Sequence, residues 1–576
     1  MTEPTTSLDV STSRRALLLQ ALLVFVCAFL LQGLLQTLPG VVTHQDGSQS
    51  MGLRSRTLPV GDTPYHIRMA WLYRTGAIAE AGSHFHWMRH SVWADRFVNK
   101  EFLYHIYLVP FTLGASDLND TEALIWGAKL ANCTTFGLLA LVLFGVLHAF
   151  GVRRPWLFTA MMLVLGGISF CSRSEESRAW PFYVMCSLLA WLCMAQNRRL
   201  ALVFVACIFT LSYAAAHFLL VLWGLRTVMI LLLGPEPCAS RKTDFLHGLK
   251  QLGAIAGGIA LGVVLHPGRA DFLHTWVVTY VQVFLGILSG PLQQAGLGVA
   301  EALGVTASYS REDAQRLRMG VEFLPFAGTN LLIAGGAAFA CPVALTVLSA
   351  WQRHKPSREA MLALAMGTLT LVMYVNSMRF AEVMGPFMAL FFGIWVESWL
   401  RCRHVARYLA AHPLRARRCA LAGTVIVLLA AAGIWGWTLS GKDERKDVPV
   451  TTTAQWLRDN PKTRGKLVWH AQWDMFPALF FYAPQSDYIV GMDPHYLLAH
   501  SRERSNLTCD ILDNEVDDET LDRVHRLFAP DYILVVPGVT PAFFEQCRKA
   551  QAQGRLKLAF VDEKAGIGVY EVIREK

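Results

Sequence analysis

The chain has 576 residues, of which 53% are hydrophobic and only 16% charged, and its formal net charge is +9. An average soluble domain carries roughly 25% charged residues, and several stretches here run about 18 or more residues almost without charge, the length that crosses a hydrocarbon core. This excludes a soluble protein and predicts a polytopic helical membrane protein. From Gly441 onward there are 18 basic and 21 acidic residues, a balance of −3, which leaves +12 for the membrane portion. Loop topology explains that excess, so no nucleic-acid partner is expected.

Arg14 and Arg15 precede the first apolar run, about 16–38, which places the N-terminus in the cytoplasm. The run is too long for a signal-peptide core and reads as a retained helix. A large outer loop follows, 40–121. Further helices are predicted at about 122–149, 156–171, 180–195, 200–215, 217–233, 250–266, 326–350, 359–376, 381–400 and 418–438. That makes about eleven spans of roughly 20 residues. The basic connections "GVRRP" (151–155), "QNRRL" (196–200), "SRKTDFLHGLK" (240–250), "WQRHKPSRE" (351–359) and "RCRHVARYLAAHPLRARR" (401–418) then fall inside. The acid-bearing loops, including "SRSEESR" (172–178) and a second large loop at 267–325, fall outside. This alternation makes residues 1–440 the transmembrane domain and 441–576 an external C-terminal domain. The Ala/Leu/Arg-rich composition suggests a bacterial inner membrane with a periplasmic C-terminus.

The external domain alternates helical and strand-like runs. "AQWLRDN" (454–460), "DETLDRVHRLF" (518–528) and "FFEQCRKAQAQG" (543–554) read as helices. "GKLVWH" (465–470), "SDYIVGM" (486–492), "DYILVVP" (531–537) and "GIGVYEV" (566–572) read as strands, so a small α/β domain is expected. Most of the 12 cysteines lie in apolar segments. Cys509 and Cys547 lie in the polar region and are open to a disulfide in an oxidising compartment. No metal-type spacing of cysteine or histidine appears.

Acids close to hydrocarbon are expensive and point to function, and those of interest gather outside. "VGDTPYHIRMAWLYRTG" (60–76) reads as a loop entering a helix capped by Asp62, with His66 four residues on and on the same face. Asp62 is then either only a cap or the group that takes a proton from, or orients, an incoming nucleophile. "WADRFVNKEFLYHIYLVPF" (93–111) puts Glu101 and His105 at helical spacing. Arg379, at an outer helix end, either snorkels to the surface or holds a lipid-linked phosphate through paired hydrogen bonds. No Gly-rich phosphate loop follows a strand, so a nucleotide-sugar donor is not supported.

Together these segments resemble the type-C membrane glycosyltransferases, which draw sugars from polyprenyl-phosphate or polyprenyl-diphosphate donors. The nearer likeness is to the catalytic subunit of oligosaccharyltransferases and its bacterial relatives. "GDTPYHIRMAWLYRTG" is similar to the family's first-loop acidic motif, and "SRSEESRAWPF" (172–182) lies where its second acidic motif lies. "VEFLPF" (321–326) is similar to its late-loop glutamate motif. "KLVWHAQWDMFPALFFY" (466–482) resembles the strand and Trp-Asp that open its soluble domain.

The resemblance implies an inverting transfer in which Asp62 is the catalytic acid of the first loop. Glu175 or Glu176 is then the second acid, and Glu322 the late-loop acid. Arg379 holds the donor phosphate, while Trp473 and Asp474 sit at the acceptor. His66, Glu101 and His105 are second-rank candidates on the acceptor side. A Mg or Mn ion on Asp62, Glu175 and Glu322 is the implied cofactor, although Glu175-Glu176 replaces the usual acid-x-acid pattern, and Gln472-Trp473-Asp474-Met475 departs from the paired tryptophans of the soluble motif. The implied partners are membrane lipid, the polyprenyl-linked sugar, an acceptor of unstated kind and other subunits of a membrane complex. The alternative reading is a transporter or scaffold for envelope polysaccharide without chemistry.

Overall fold

A computed structural model describes residues 14–37, 39–43, 49–53, 61–78, 84–234, 240–276, 338, 340, 342–347, 356–440, 450–563 and 565–574. In chain order the first half holds α1 (Arg14–Thr37), β1 (Pro39–Thr43), β2 (Gln49–Leu53), α2 (Thr63–Thr75), α3 (Val92–Asp95), α4 (Phe102–Leu108), α5 (Thr121–Ala149), α6 (Pro155–Ser174), α7 (Trp180–Ala195), α8 (Arg199–Ser212), α9 (Phe218–Leu233), α10 (Arg241–Leu265) and α11 (Arg269–Trp276). Among the residues that follow, α12 (Arg358–Asn376), α13 (Ala381–Leu400), α14 (Arg403–Ala411) and α15 (Pro413–Ser440) complete the membrane portion.

Seven described helices, α1, α5, α6, α10, α12, α13 and α15, are long and apolar enough to cross a membrane. Three more, α7, α8 and α9, lie where spans were expected but run only 14 to 16 residues. They are shorter than a span of roughly 20 residues, because Gln196-Asn197 and the Tyr213–His217 turn interrupt the apolar run. The expected 326–350 helix lies mostly outside the described residues.

Helix starts follow local chemistry. Asp120, Ser240 and Ser357 each accept a hydrogen bond from a backbone N–H three residues on, at the heads of α5, α10 and α12. The bundle core is built from side chains such as Leu165, Trp180, Leu188, Trp191, Phe209, Ile255 and Phe391. Where α8 meets α10 the backbones touch. A Cβ on Gly258 would stand 2.4 Å from the Val203 carbonyl oxygen, so only glycine fits. Polar side chains close the C-terminal end of α6. Gln32 Nε2 donates to Ser174 O at 2.6 Å. Asn132 Nδ2 donates to Ser174 O at 2.8 Å and Glu175 O at 2.9 Å. These satisfy carbonyls that a helix end leaves unpaired.

The C-terminal region contains α16 (Thr451–Asp459), β3 (Leu467–His470), α17 (Phe476–Tyr482), β4 (Asp487–Tyr488), α18 (His495–His500), α19 (Arg502–Leu512), α20 (Thr520–Phe528), β5 (Tyr532–Val535), α21 (Pro541–Ala552), β6 (Leu556–Asp562) and β7 (Ile567–Val572). The sheet order is β4-β3-β5-β7-β6. β4, β3 and β5 run parallel, and β7 and β6 are antiparallel additions. The "SDYIVGM" strand shrinks to two residues, because the chain beyond Tyr488 pairs with Trp87–His90 of the segment between α2 and α3 instead. Tyr488 N donates to Trp87 O at 2.9 Å, and Arg89 N and His90 N donate to Tyr488 O and Ile489 O at 2.9 and 3.0 Å. The loop thereby covers an open sheet edge. Cys509 and Cys547 are both buried, and no disulfide joins them, so the pairing left open by the sequence is not formed.

One apolar core runs from α2, α3 and the chain between them into this sheet, through Tyr65, Trp93, Phe85, Phe480, Trp469 and Ile533. His470 sits inside it, fully buried on β3. Its Nδ1 donates to Gln472 O at 2.8 Å, while Nε2 has no partner. Burial pushes the imidazole down to about 4. The unfolded chain therefore binds a proton that the fold refuses, between pH 6.5 and about 4. Stability is fully present above the unfolded value and is lost as pH falls through that window. From pH 7 to pH 5 this one residue should cost about 2 kcal/mol, seen as a falling unfolding midpoint in detergent, and His470→Gln should flatten that part of the profile.

Candidate active site

The first and second acidic segments meet at the head of α2. Asp62 stands at the N-terminal boundary of α2, and its carbonyl accepts from His66 N at 3.0 Å. The sequence expectation that its carboxylate caps the helix is corrected. Asp62 has helical backbone angles and makes no side-chain cap bond, because the carboxylate turns to a cation. Arg178 Nη2 lies 3.1 Å from Asp62 Oδ2, and Arg178 Nε lies 2.6 Å from Glu176 Oε2. Asp62 is about one quarter exposed, enough to meet a substrate. Gly61 makes the approach possible. Its φ is +93°, and a Cβ there would sit 3.0 Å from Glu176 Oε2. A second bond locks the loops together, from Ser177 N to Thr63 Oγ1 at 2.9 Å. Glu175 is buried at the end of α6 and does not stand in for Glu176 in this contact.

Behind Asp62 lies a buried histidine pair. His66 Nδ1 is 2.8 Å from His105 Nε2, and His105 Nδ1 is 2.9 Å from Asn99 Oδ1. Asn99 Nδ2 donates to the Tyr73 hydroxyl at 2.9 Å, which orients the amide. Glu101 Oε2 lies 3.7 Å from His66 Nδ1. Burial pushes both imidazoles down, His105 to about 3, so both are neutral. Burial raises the Glu101 carboxyl. Lys100 lowers it, Asp62 raises it, and Arg178 and Arg379 lower it. Glu101 therefore feels the charges of both loops and of Arg379.

Arg379 lies in a short 3-10 turn, Met378–Phe380, ahead of α13. It donates to the Tyr213 hydroxyl at 2.8 Å, and Tyr213 stacks on Tyr183 at 5.6 Å. On the same side Arg173 of α6 pairs with buried Glu382 of α13, tying the second acidic segment to the turn that carries Arg379.

Trp473 and Asp474 occupy a 3-10 turn at the carboxyl end of β3. That end is a switch point, since the chain leaves β3 toward β4 on one side and returns to β5 on the other. Such points are where open α/β sheets bind ligands. A small cleft lined by Ala471, Gln472, Met475, Leu534, Val539 and Thr540 opens there. Among the described residues no hydrogen bond or ion pair joins Trp473 or Asp474 to the Asp62 cluster. Glu322 lies outside the described residues.

A hard cation gathers several convergent oxygens. Of the acids expected to hold Mg or Mn, Asp62 directs one carboxylate oxygen to Arg178, as does Glu176, Glu175 is buried at the end of α6, and Glu322 lies outside the described residues. Two partners escaped sequence reading. Arg178 stands within the quoted "SRSEESR" but carries no signal of its own, and Asn99 precedes Glu101 as an ordinary loop residue. Nor did spacing reveal the grouping of His66, Glu101 and His105, since 35 residues separate the first two.

The fold around these residues is shared with solved archaeal oligosaccharyltransferases. The apo oligosaccharyltransferase of Archaeoglobus fulgidus superposes with a TM-score of 0.58 at 12% identity, over 92% of this chain and 71% of that one. The archaeal oligosaccharyltransferase AglB from Archaeoglobus fulgidus, solved with an inhibitory peptide and a dolichol-phosphate, gives 0.56 at 13% identity, over 96% and 74%. No protein-family model matches the chain, and no curated protein matches its sequence.

Proposed function

We propose that this chain is a glycosyltransferase that moves a sugar or oligosaccharide from a polyprenyl-phosphate or polyprenyl-diphosphate donor to an acceptor on the outer face of the membrane. The observation that carries the reading is the convergence of Asp62 and Glu176 on Arg178, from two outer loops, at a partly exposed carboxylate. The fold it shares with a protein solved with dolichol-phosphate supports the lipid-linked donor. The positive-inside pattern supports a cytoplasmic N-terminus and a periplasmic C-terminal region in a bacterial inner membrane.

In this reaction the acceptor oxygen forms a bond to the anomeric carbon while the bond from that carbon to the phosphate oxygen breaks. The electron pair leaves with the polyprenyl phosphate, and the acceptor proton passes to the Asp62 carboxylate. Attack opposite the leaving group inverts the anomeric centre. Arg178 aims the Asp62 carboxylate, and Glu176 holds Arg178. Arg379 meets charge that grows on the departing phosphate, where a fixed cation helps most. Trp473 and Asp474 offer an acceptor surface. No step here is assigned to a metal ion.

Arg379→Ala should lower transfer about 10²-fold or more with folding intact. Arg379→Lys should recover part of it, because charge returns without the paired fork. Turnover of a labelled polyprenyl-linked sugar by purified protein measures both. Equal, near-normal rates in the two variants would remove Arg379 from the donor site.

A further inference from the structure

We propose that His66, His105 and Glu101 form a zinc site that pins α2 to the segment opening α4, one helical turn beneath Asp62. One ligand atom from each residue lies within 4.8 Å of the other two. All three residues are buried, at 2%, 0% and 7% exposure. Two imidazole nitrogens and a carboxylate oxygen make a borderline donor set that suits Zn²⁺, while Mg²⁺ and Ca²⁺ prefer oxygen alone.

The surrounding bonds already orient the ligands. Asn99 Oδ1 accepts from Glu101 N at 3.0 Å and faces His105 Nδ1 at 2.9 Å. With its NH₂ committed to Tyr73, Asn99 offers only an acceptor there. His105 Nδ1 therefore carries the proton, and Nε2 presents its lone pair toward His66. Outer partners of this kind fix the tautomer of metal-bound histidines.

The second observation is Glu101 Oε2, a buried oxygen with no hydrogen-bond partner, 3.7 Å from His66 Nδ1. A cation between the three atoms satisfies it. Without metal, the His66 Nδ1 proton is shared with His105 Nε2 at 2.8 Å. Zinc displaces that proton, which moves to His66 Nε2 or to water. With Zn–N distances of about 2.0–2.1 Å, two nitrogens on a tetrahedral ion stand about 3.3 Å apart. The rings then separate by about half an ångström, within the reach of side-chain rotation. Three protein ligands leave the fourth position to water. The site rests on these residues alone, so its test does not depend on the sugar-transfer reading.

The experiment is metal analysis of the purified full chain in detergent, equilibrated with Zn²⁺ alone and desalted. The expected content is about one zinc per chain, and replacement by Co²⁺ should give the visible absorption of a four-coordinate ion. His66→Gln and His105→Gln should each retain less than about a tenth of that, and Glu101→Gln should bind zinc about 10-fold or more weaker. If a histidine variant does not fold, zinc titration of the wild type and Glu101→Gln decides. A monodisperse wild type that holds no zinc above background overturns the proposal. So does zinc content unchanged in Glu101→Gln and in the folded histidine variants.

Discussion

Asp62→Asn is expected to lower sugar transfer by about 10²–10⁴-fold, the range lost with a general base. The asparagine keeps the size of the side chain and still accepts a hydrogen bond from Arg178, now 3.1 Å from the carboxylate. It cannot take the acceptor proton. Because Asp62 makes no cap bond to α2, the helix does not depend on its charge. The unfolding midpoint should therefore stay near that of the wild type while turnover collapses. Transfer at near-normal rate by Asp62→Asn would dismiss the carboxylate from the chemistry and leave it as the partner of Arg178 only.

Arg68→Ala should destabilise the core shared by α2 and the C-terminal region by about 3 kcal/mol or more, the scale of breaking a buried charged contact. Arg68 is fully buried. Nη1 donates to Leu118 O at 2.8 Å, and Nη2 donates to Phe481 O. Its guanidinium also lies over Trp71 at 5.6 Å and Phe481 at 5.0 Å. Burial pulls its pKa down to about 9. The side chain is thus a bolt from α2 to α17, joining the segment that follows α1 and β2 to the C-terminal region. Without it the buried Phe481 carbonyl and the part-buried Leu118 carbonyl lose their donor, and a cavity opens between two aromatic rings. Arg68→Lys should rescue little, since a single ammonium does not span both carbonyls. Thermal unfolding in detergent and earlier proteolytic release of the C-terminal region would show the loss. An unfolding midpoint unchanged in Arg68→Ala would mean that the apolar core alone joins the two parts.

Much of this architecture is legible because it is periodic or compositional. Long uncharged runs mark α1, α5, α6, α10, α12, α13 and α15, and alternating β-rich runs mark β3, β5 and β7. β6 was missed, since "LKLAFVD" buries only its two ends fully and shows no clean alternation. α17, α18 and α19 were missed because "FPALFFY" reads equally well as an apolar strand end, and "HYLLAH" and "RERSNLTCDIL" carry little amphipathic pattern. β4 shortened because its partner comes from Trp87–His90, nearly 400 residues away in sequence, which no local pattern encodes.

The site divides along the same line. Asp62 and Arg379 were visible as charges at membrane exits. Which glutamate of the pair faces Asp62 was not, because one residue of helical rotation at the end of α6 decides between Glu175 and Glu176. Arg178 and Arg68 were hidden for a common reason. An arginine in a sequence reads as solvated or snorkelling, and only tertiary structure shows that one sits between two carboxylates and the other in an aromatic core.

The most direct measurement follows the bond that the proposed reaction breaks. Purified protein reconstituted in vesicles would receive polyprenyl-phosphate- and polyprenyl-diphosphate-linked sugar, labelled in the sugar, with membrane extract as acceptor source. The expected result is label leaving one of the lipid carriers for an acceptor with wild-type protein, and label remaining on lipid with Asp62→Asn. Label that stays on both carriers with folded wild-type protein, or that crosses the bilayer still attached to lipid, would contradict glycosyl transfer and return the chain to a transporter or scaffold.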